Sequence, residues 1–127
     1  MGILAEMGYP TKDFGSYSSD AVDYPDIAKV VSEAVAQGRF DRGILICGTG
    51  IGMSIAANKV PGIRAALCCD AFAAERARLH NNANIICLGA ERGQEGVKEI
   101  LKTFFSIEYE GGRHQRRLDK ISQMERP

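Results

Sequence analysis

The chain has 127 residues, which fits one domain spanning residues 1–127. Hydrophobic residues make up 45% of it, an ordinary share for a soluble globular protein, and no apolar run approaches the roughly 20 residues of a membrane helix. Sixteen Lys and Arg balance sixteen Asp and Glu, so no global field draws nucleic acid or a membrane surface, although Arg113-His114-Gln115-Arg116-Arg117 is locally basic.

In chain order, residues 1–7 read as a helix end stopped by Gly8. They show no basic leader followed by an apolar stretch, so no secretory signal is expected. Residues 9–14 form a weak strand candidate, and residues 15–23 a polar loop. Ile27, Val30, Val31, Ala34 and Val35 then recur with the period of a buried helix face, with Pro25 in the first turn and Gly38 at the end. Residues 43–47 are a continuous apolar run between glycines, the pattern of a strand covered on both faces. Residues 51–59 are a helix candidate closed by Pro61-Gly62. Residues 63–68 read as a strand, 71–81 as an alanine- and arginine-rich helix, and 84–88 as a third strand. Val97, Ile100, Leu101, Phe104 and Phe105 again carry helical spacing, which Gly111-Gly112 breaks. A last helix, residues 114–125, has few apolar positions: Leu118, Ile121 and Met124. This alternation predicts an α/β fold with an open parallel sheet, a flavodoxin-like or Rossmann-like three-layer sandwich. Ligands in such sheets bind at the carboxyl ends of the strands.

That rule directs attention to Cys47-Gly48-Thr49-Gly50-Ile51-Gly52, which follows a strand and opens a helix. Glycines let the backbone approach a ligand, and a helix start offers unpaired N–H groups to a phosphate or an oxyanion. The spacing matches neither the P-loop nor the dinucleotide fingerprint. By itself the turn serves equally as a tight strand-to-helix connection. Cys47, at a strand end beside a helix start, sits where a thiolate is favoured, and its alternative is a small core residue. Asp70 follows the next strand, and His80-Asn81-Asn82, at the end of the next helix, are placed with the same ligand-binding edge. Arg113 and Arg117, four apart, share a helix face suited to a phosphate or simply to solvent. Cys47, Cys68, Cys69 and Cys87 include no Cys-x-x-Cys pair, the pattern of a reduced cytoplasmic protein and not of a disulfide scaffold or a zinc site. Cys68, Cys69 and Cys87 read as small buried side chains. Adjacent cysteines pair poorly, which weighs against a redox sensor at Cys68-Cys69.

The run from Gly43 through Cys47-Gly48-Thr49-Gly50-Ile51-Gly52 to Lys59 resembles the signature of the ribose-5-phosphate isomerase type B family, which includes the galactose-6-phosphate isomerase subunits. Val22-Asp23-Tyr24-Pro25, His80-Asn81-Asn82-Ala83-Asn84 and Glu110-Gly111-Gly112-Arg113-His114-Gln115-Arg116-Arg117 agree with it in the same order. The resemblance implies an aldose–ketose isomerase acting on ribose 5-phosphate and ribulose 5-phosphate through an enediolate, with Cys47 as the base. It implies Thr49 and His80 in ring opening, and Tyr24 and Asn81 as substrate contacts. The Gly48, Gly50 and Gly52 region would supply amides for the enediolate, and Arg113 and Arg117 would hold the phosphate. It implies no metal and no organic cofactor. It implies a sugar-phosphate partner and a homodimer, or a dimer of dimers, whose sites are shared, with His80-Asn81 reaching the neighbour's Cys47. Two alternatives stay open: a hexose 6-phosphate substrate, and a catalytically impaired sugar-phosphate-binding or dimerisation module.

Three departures from the family pattern stand out. No counterpart of an initial strand with its Asp-His pair is present, so a truncated frame or a repaired fold is expected, with lower stability and activity in question. In a flavodoxin-like order that strand would be central, and its loss would expose the edges of its neighbours. Cys69 stands where the family often has His or Ser. Glu91-Arg92 stands where an Arg would come first.

Overall fold

The structure, a computed structural model, describes residues 23–90 and 96–125. The expected helix end at 1–7, the strand at 9–14, most of the loop before Asp23, the fate of an initial strand and the Glu91-Arg92 loop lie outside the described residues.

The described elements are α1 (Tyr24–Ala36), β1 (Gly43–Cys47), α2 (Ile51–Ala57), β2 (Ala65–Leu67), α3 (Ala71–Asn81), β3 (Ile85–Gly89), α4 (Val97–Ser106) and α5 (Arg113–Gln123). All three strands are parallel, in the order β1-β3-β2. Of the three described strands, β3 lies in the middle although it comes last in the chain. Its Ile85, Ile86, Cys87 and Leu88 are all buried, whereas no residue of β2 is fully buried. The strand with the most cover is thus β3, although β1 has the same composition of two Ile, one Leu, one Cys and one Gly. The two strand-to-strand crossovers run in opposite directions across the sheet, which puts their helices on opposite faces.

Alternation along β3 divides the interior in two. Ile85 and Cys87 join Leu45, with Ala28, Val31 and Val35 of α1 and Met53 and Ala57 of α2. Ile86 and Leu88 join Cys68, Ala74 and Ala77 of α3, and Ile100, Leu101 and Phe104 of α4. Helices therefore cover both faces, giving the three layers expected. At roughly 25 cal/mol per Å² of apolar area, burying each Ile or Leu of β3 is worth about 1.5–3 kcal/mol before the entropy cost is set against it.

Local chemistry sets the element ends. Pro25 occupies the first turn of α1, where its missing N–H costs nothing. Asp70 caps α3, its carboxylate accepting from the Ala73 N–H at 2.8 Å, so this residue serves the helix. Asn82 ends α3 with φ of 46°, a left-handed conformation that Asn tolerates. The middle strand candidate is shorter than expected, three residues of the six between 63 and 68. Asn58 explains part of this: its side chain donates to Ala65 O and accepts from Ala65 N–H, replacing a strand neighbour at that end.

Candidate active site

Cys47 ends β1 beside Gly89 of β3, at the carboxyl edge of the sheet. It is partly exposed, unlike Cys68 and Cys87, which are buried. The Gly50 N–H donates to Cys47 Sγ at 3.1 Å, a contact that stabilises negative charge on sulfur. Gly50 reaches that geometry with φ of +82°, and a Cβ there would meet Leu67 Cδ1 at 2.6 Å and the Leu88 carbonyl carbon at 2.9 Å. Only glycine fits both the angle and the space. The Thr49 hydroxyl accepts from the Ile51 N–H at 3.2 Å and so closes the start of α2. Two of the amides expected to face substrate oxygens, those of Gly50 and Ile51, are thus engaged inside the loop. Gly48 and Thr49 are exposed, and Gly52 is partly covered. A Cβ on Gly52 would come within 2.5 Å of Tyr24 Cζ and OH, so the absence of a side chain lets the Tyr24 ring lie over the loop. Cys47, Thr49, Gly50, Gly52 and Tyr24 therefore belong to one assembly.

The remaining expected residues form a second assembly elsewhere. His80, Asn81, Arg113, His114 and Arg117 line a cavity of about 500 Å³. The i, i+4 reading of Arg113 and Arg117 holds, since both line it from α5. The placement of His80-Asn81-Asn82 with the ligand-binding edge of the sheet is corrected. His80 and Asn81 lie in the last turn of α3, which runs back to the amino ends of the strands before β3 begins at Ile85. There the Gly43 N–H donates to Asn84 O, and the Asn84 N–H to Arg64 O. Cys47 is at the other edge. The five residues of β3 alone separate the two edges by about 13 Å.

Arg78 fixes the second assembly. It is 5% exposed, and its guanidinium donates to Ile107 O, Asn82 Oδ1 and Ala83 O at 2.7–3.1 Å. These bonds tie the end of α3 to the segment after α4. The Glu110 N–H donates to Leu79 O at 3.1 Å, which brings α5 against the same turn. His114 then stacks on His80 with ring centroids 4.3 Å apart. Burial, with the nearby positive charge of His80 and Arg113, lowers the His114 pKa below the usual imidazole value. Arg78 and His114 escape sequence reasoning as site residues. An arginine in a polar helix looks like a solvated residue, and His114 meets His80 only through tertiary packing.

A parallel α/β sheet carries a thiol and a glycine turn at one strand's carboxyl end and an arginine–histidine cavity at the opposite edge, which places the chain among open-sheet α/β proteins. The chain belongs to the family described as Ribose/Galactose Isomerase, whose profile matches residues 1–121. It is 46% identical over 123 residues to ribose-5-phosphate isomerase B of Escherichia coli strain K12, covering 96% of this chain and 83% of that protein. It is 50% identical over 103 residues to D-erythrulose-4-phosphate isomerase of Pectobacterium atrosepticum, covering 80% of this chain and 68% of that one. Its fold matches the solved structure of Clostridium thermocellum ribose-5-phosphate isomerase B with a TM-score of 0.94 and 48% identity, over 98% of this chain and 84% of the other.

Proposed function

We propose that this chain is an aldose–ketose isomerase that interconverts ribose 5-phosphate and ribulose 5-phosphate, with Cys47 as the proton-transfer base. The observation that carries this reading is the Gly50 N–H directed at Cys47 Sγ in a partly open loop, in a chain of the ribose/galactose isomerase family. The Cys47 thiolate removes the C2 proton of the open-chain aldose and the electrons pass into an enediolate; a proton then moves from O2 to O1, and the Cys47 thiol returns its proton to C1 to give the ketose. Thr49 and His80 assist ring opening. Free amides of the Gly48–Gly52 loop and the Tyr24 hydroxyl contact the sugar, and Asn81 joins them. Arg113 and Arg117 hold the phosphate, which suits two guanidinium groups on one helix face.

One copy holds Cys47 and His80 at opposite edges of its sheet. A complete site therefore takes the thiol loop from one subunit and the histidine–arginine cavity from another. Ile51, Ile55, Leu67 and Phe72, all exposed beside the thiol loop and the start of α3, suit a subunit contact. We infer a homodimer, or a dimer of dimers, acting in the cytoplasm. Among the described residues no helix is long and apolar enough to cross a membrane.

The relative that acts on a four-carbon sugar phosphate supports a second reading, in which the substrate is another aldose or ketose phosphate, hexose 6-phosphates included. The test is to incubate the purified protein with each sugar phosphate and follow ketose formation. Turnover is expected to be fastest with ribose 5-phosphate and to fall at least about 1000-fold in Cys47→Ala. A Cys47→Ala rate equal to that of the wild type removes the base, and binding without turnover favours a non-catalytic module.

A further inference from the structure

Among the described residues, His80, Glu110 and His114 place one ligand atom each within 4.8 Å of one another. We infer that these three side chains form a binding site for a divalent transition-metal ion, with Zn²⁺ the best match to the donors. Two imidazoles and a carboxylate are a known zinc ligand set, with a fourth position left for water or an anion. Mg²⁺ and Ca²⁺ favour all-oxygen sites and fit this set poorly.

A second observation points the same way. His114 is 5% exposed, and its Nε2 atom is buried with no hydrogen-bond partner. Such an atom is costly unless something satisfies it. The Glu110 carboxylate stands 3.9 Å from it, too far for a hydrogen bond and close enough for both to reach one ion. The rings are stacked, 24° from parallel with centroids 4.3 Å apart, which keeps the two imidazoles next to each other. The backbone is tied for the purpose: the Glu110 N–H to Leu79 O bond joins the carboxylate's segment to the turn that carries His80. Metal–nitrogen distances of about 2.0 Å place tetrahedral ligands about 3.3 Å apart. Closing the cluster to that spacing requires the exposed Glu110 to swing in and the partly exposed His80 ring to turn out of its stack on the buried His114, so that both ring planes meet at the ion. Arg113 and Arg117 line the same cavity and oppose a bare cation. They limit affinity and leave the ligand set unchanged.

The metal is not a cofactor of the proposed reaction. It occupies a His80 nitrogen needed for ring opening, so it inhibits. That consequence rests on the isomerase reading; binding itself does not.

The test separates the two. Zinc binding is measured by calorimetry on Cys47→Ala protein, which lacks the catalytic thiol. One saturable site per chain is expected, weakened at least about tenfold when Glu110→Gln is added. Co²⁺ on the same protein should show visible ligand-field absorption without a sulfur charge-transfer band. In parallel, wild-type protein should lose isomerase activity as Zn²⁺ rises and regain it with chelator. The Glu110→Gln enzyme, with equal activity in the absence of metal, should need about tenfold more Zn²⁺. Absence of a saturable site, an affinity indifferent to Glu110→Gln, or a sulfur charge-transfer band overturns the proposal. Failure of the isomerase reading would instead appear as no turnover in any metal-free protein, with the calorimetric site intact.

Discussion

Cys47 and Cys87 sit on neighbouring strands, two positions apart in register, yet their surroundings differ. Cys87 is fully buried, and burial, with the charges of Cys47 and Cys68 next, pushes its pKa up to about 12. Cys68 is buried on the other face, where burial, then Cys69 and Asp70, raises its pKa to about 11. The unfolded chain releases both protons near 9.0, so between that pH and 11–12 the folded state holds more protons than the unfolded one. Stability from these thiols is therefore fully present below pH 9 and declines as pH rises through the folded values. Thermal melts are expected to fall between pH 8 and 10.5, and the fall should be shallower in Cys87→Ala. A slope unchanged by that substitution would refute the attribution. The sequence marks both as small core residues and Cys47 as distinct, because position relative to a strand end is legible. Its spacing reads Cys69 as buried too, whereas Cys69 is exposed, since two residues past the end of β2 the facing is set by the turn. A second residue-scale expectation concerns Gly52. In Gly52→Ala the methyl would displace the Tyr24 ring, which is 43% exposed and free to swing outward. Steady-state kinetics should show KM for ribose 5-phosphate rising about tenfold, with kcat and the melting temperature changed far less.

At the scale of elements, the apolar period of α1, the glycine-flanked run of β1 and the apolar run of β3 are legible, because burial writes itself into spacing. The α3 helix was legible as a helix but not as a scaffold. Its Arg78 looks like one more charge in an alanine-rich segment, and only the fold brings Ile107 O, Asn82 Oδ1 and Ala83 O around it. A buried guanidinium with three acceptors is expected to matter more than any single apolar residue of that helix. Arg78→Met keeps the stem and removes the donors, leaving those oxygens with nothing to accept from. Denaturant unfolding should show a loss of about 2–4 kcal/mol. The same change should loosen the last turn of α3, so residual activity should drop even where the protein remains folded. An Arg78→Met protein as stable as the wild type would show that water replaces the three bonds at no cost.

For the whole molecule, strand order was not legible. Three apolar runs of similar character do not announce which lies in the middle, and β3 wins through its fully buried residues. The shared parallel direction of the strands, together with the return of α3 to their amino ends, puts Cys47 and His80 at opposite edges of one sheet. For the proposed reaction, a second copy would bring the two groups together. The expectation can be tested without any structure of the assembly. Cys47→Ala and His80→Ala homodimers should each be nearly inactive, since every site lacks one group. When the two are mixed under conditions that exchange subunits, half of the dimers become hybrids. In each hybrid one site combines the intact Cys47 of one chain with the intact His80 of the other, while the second site lacks both. Activity should therefore recover to about one quarter of the wild-type value. Sites built within single chains predict no recovery at all, because no exchange of subunits can then bring an intact thiol to an intact imidazole.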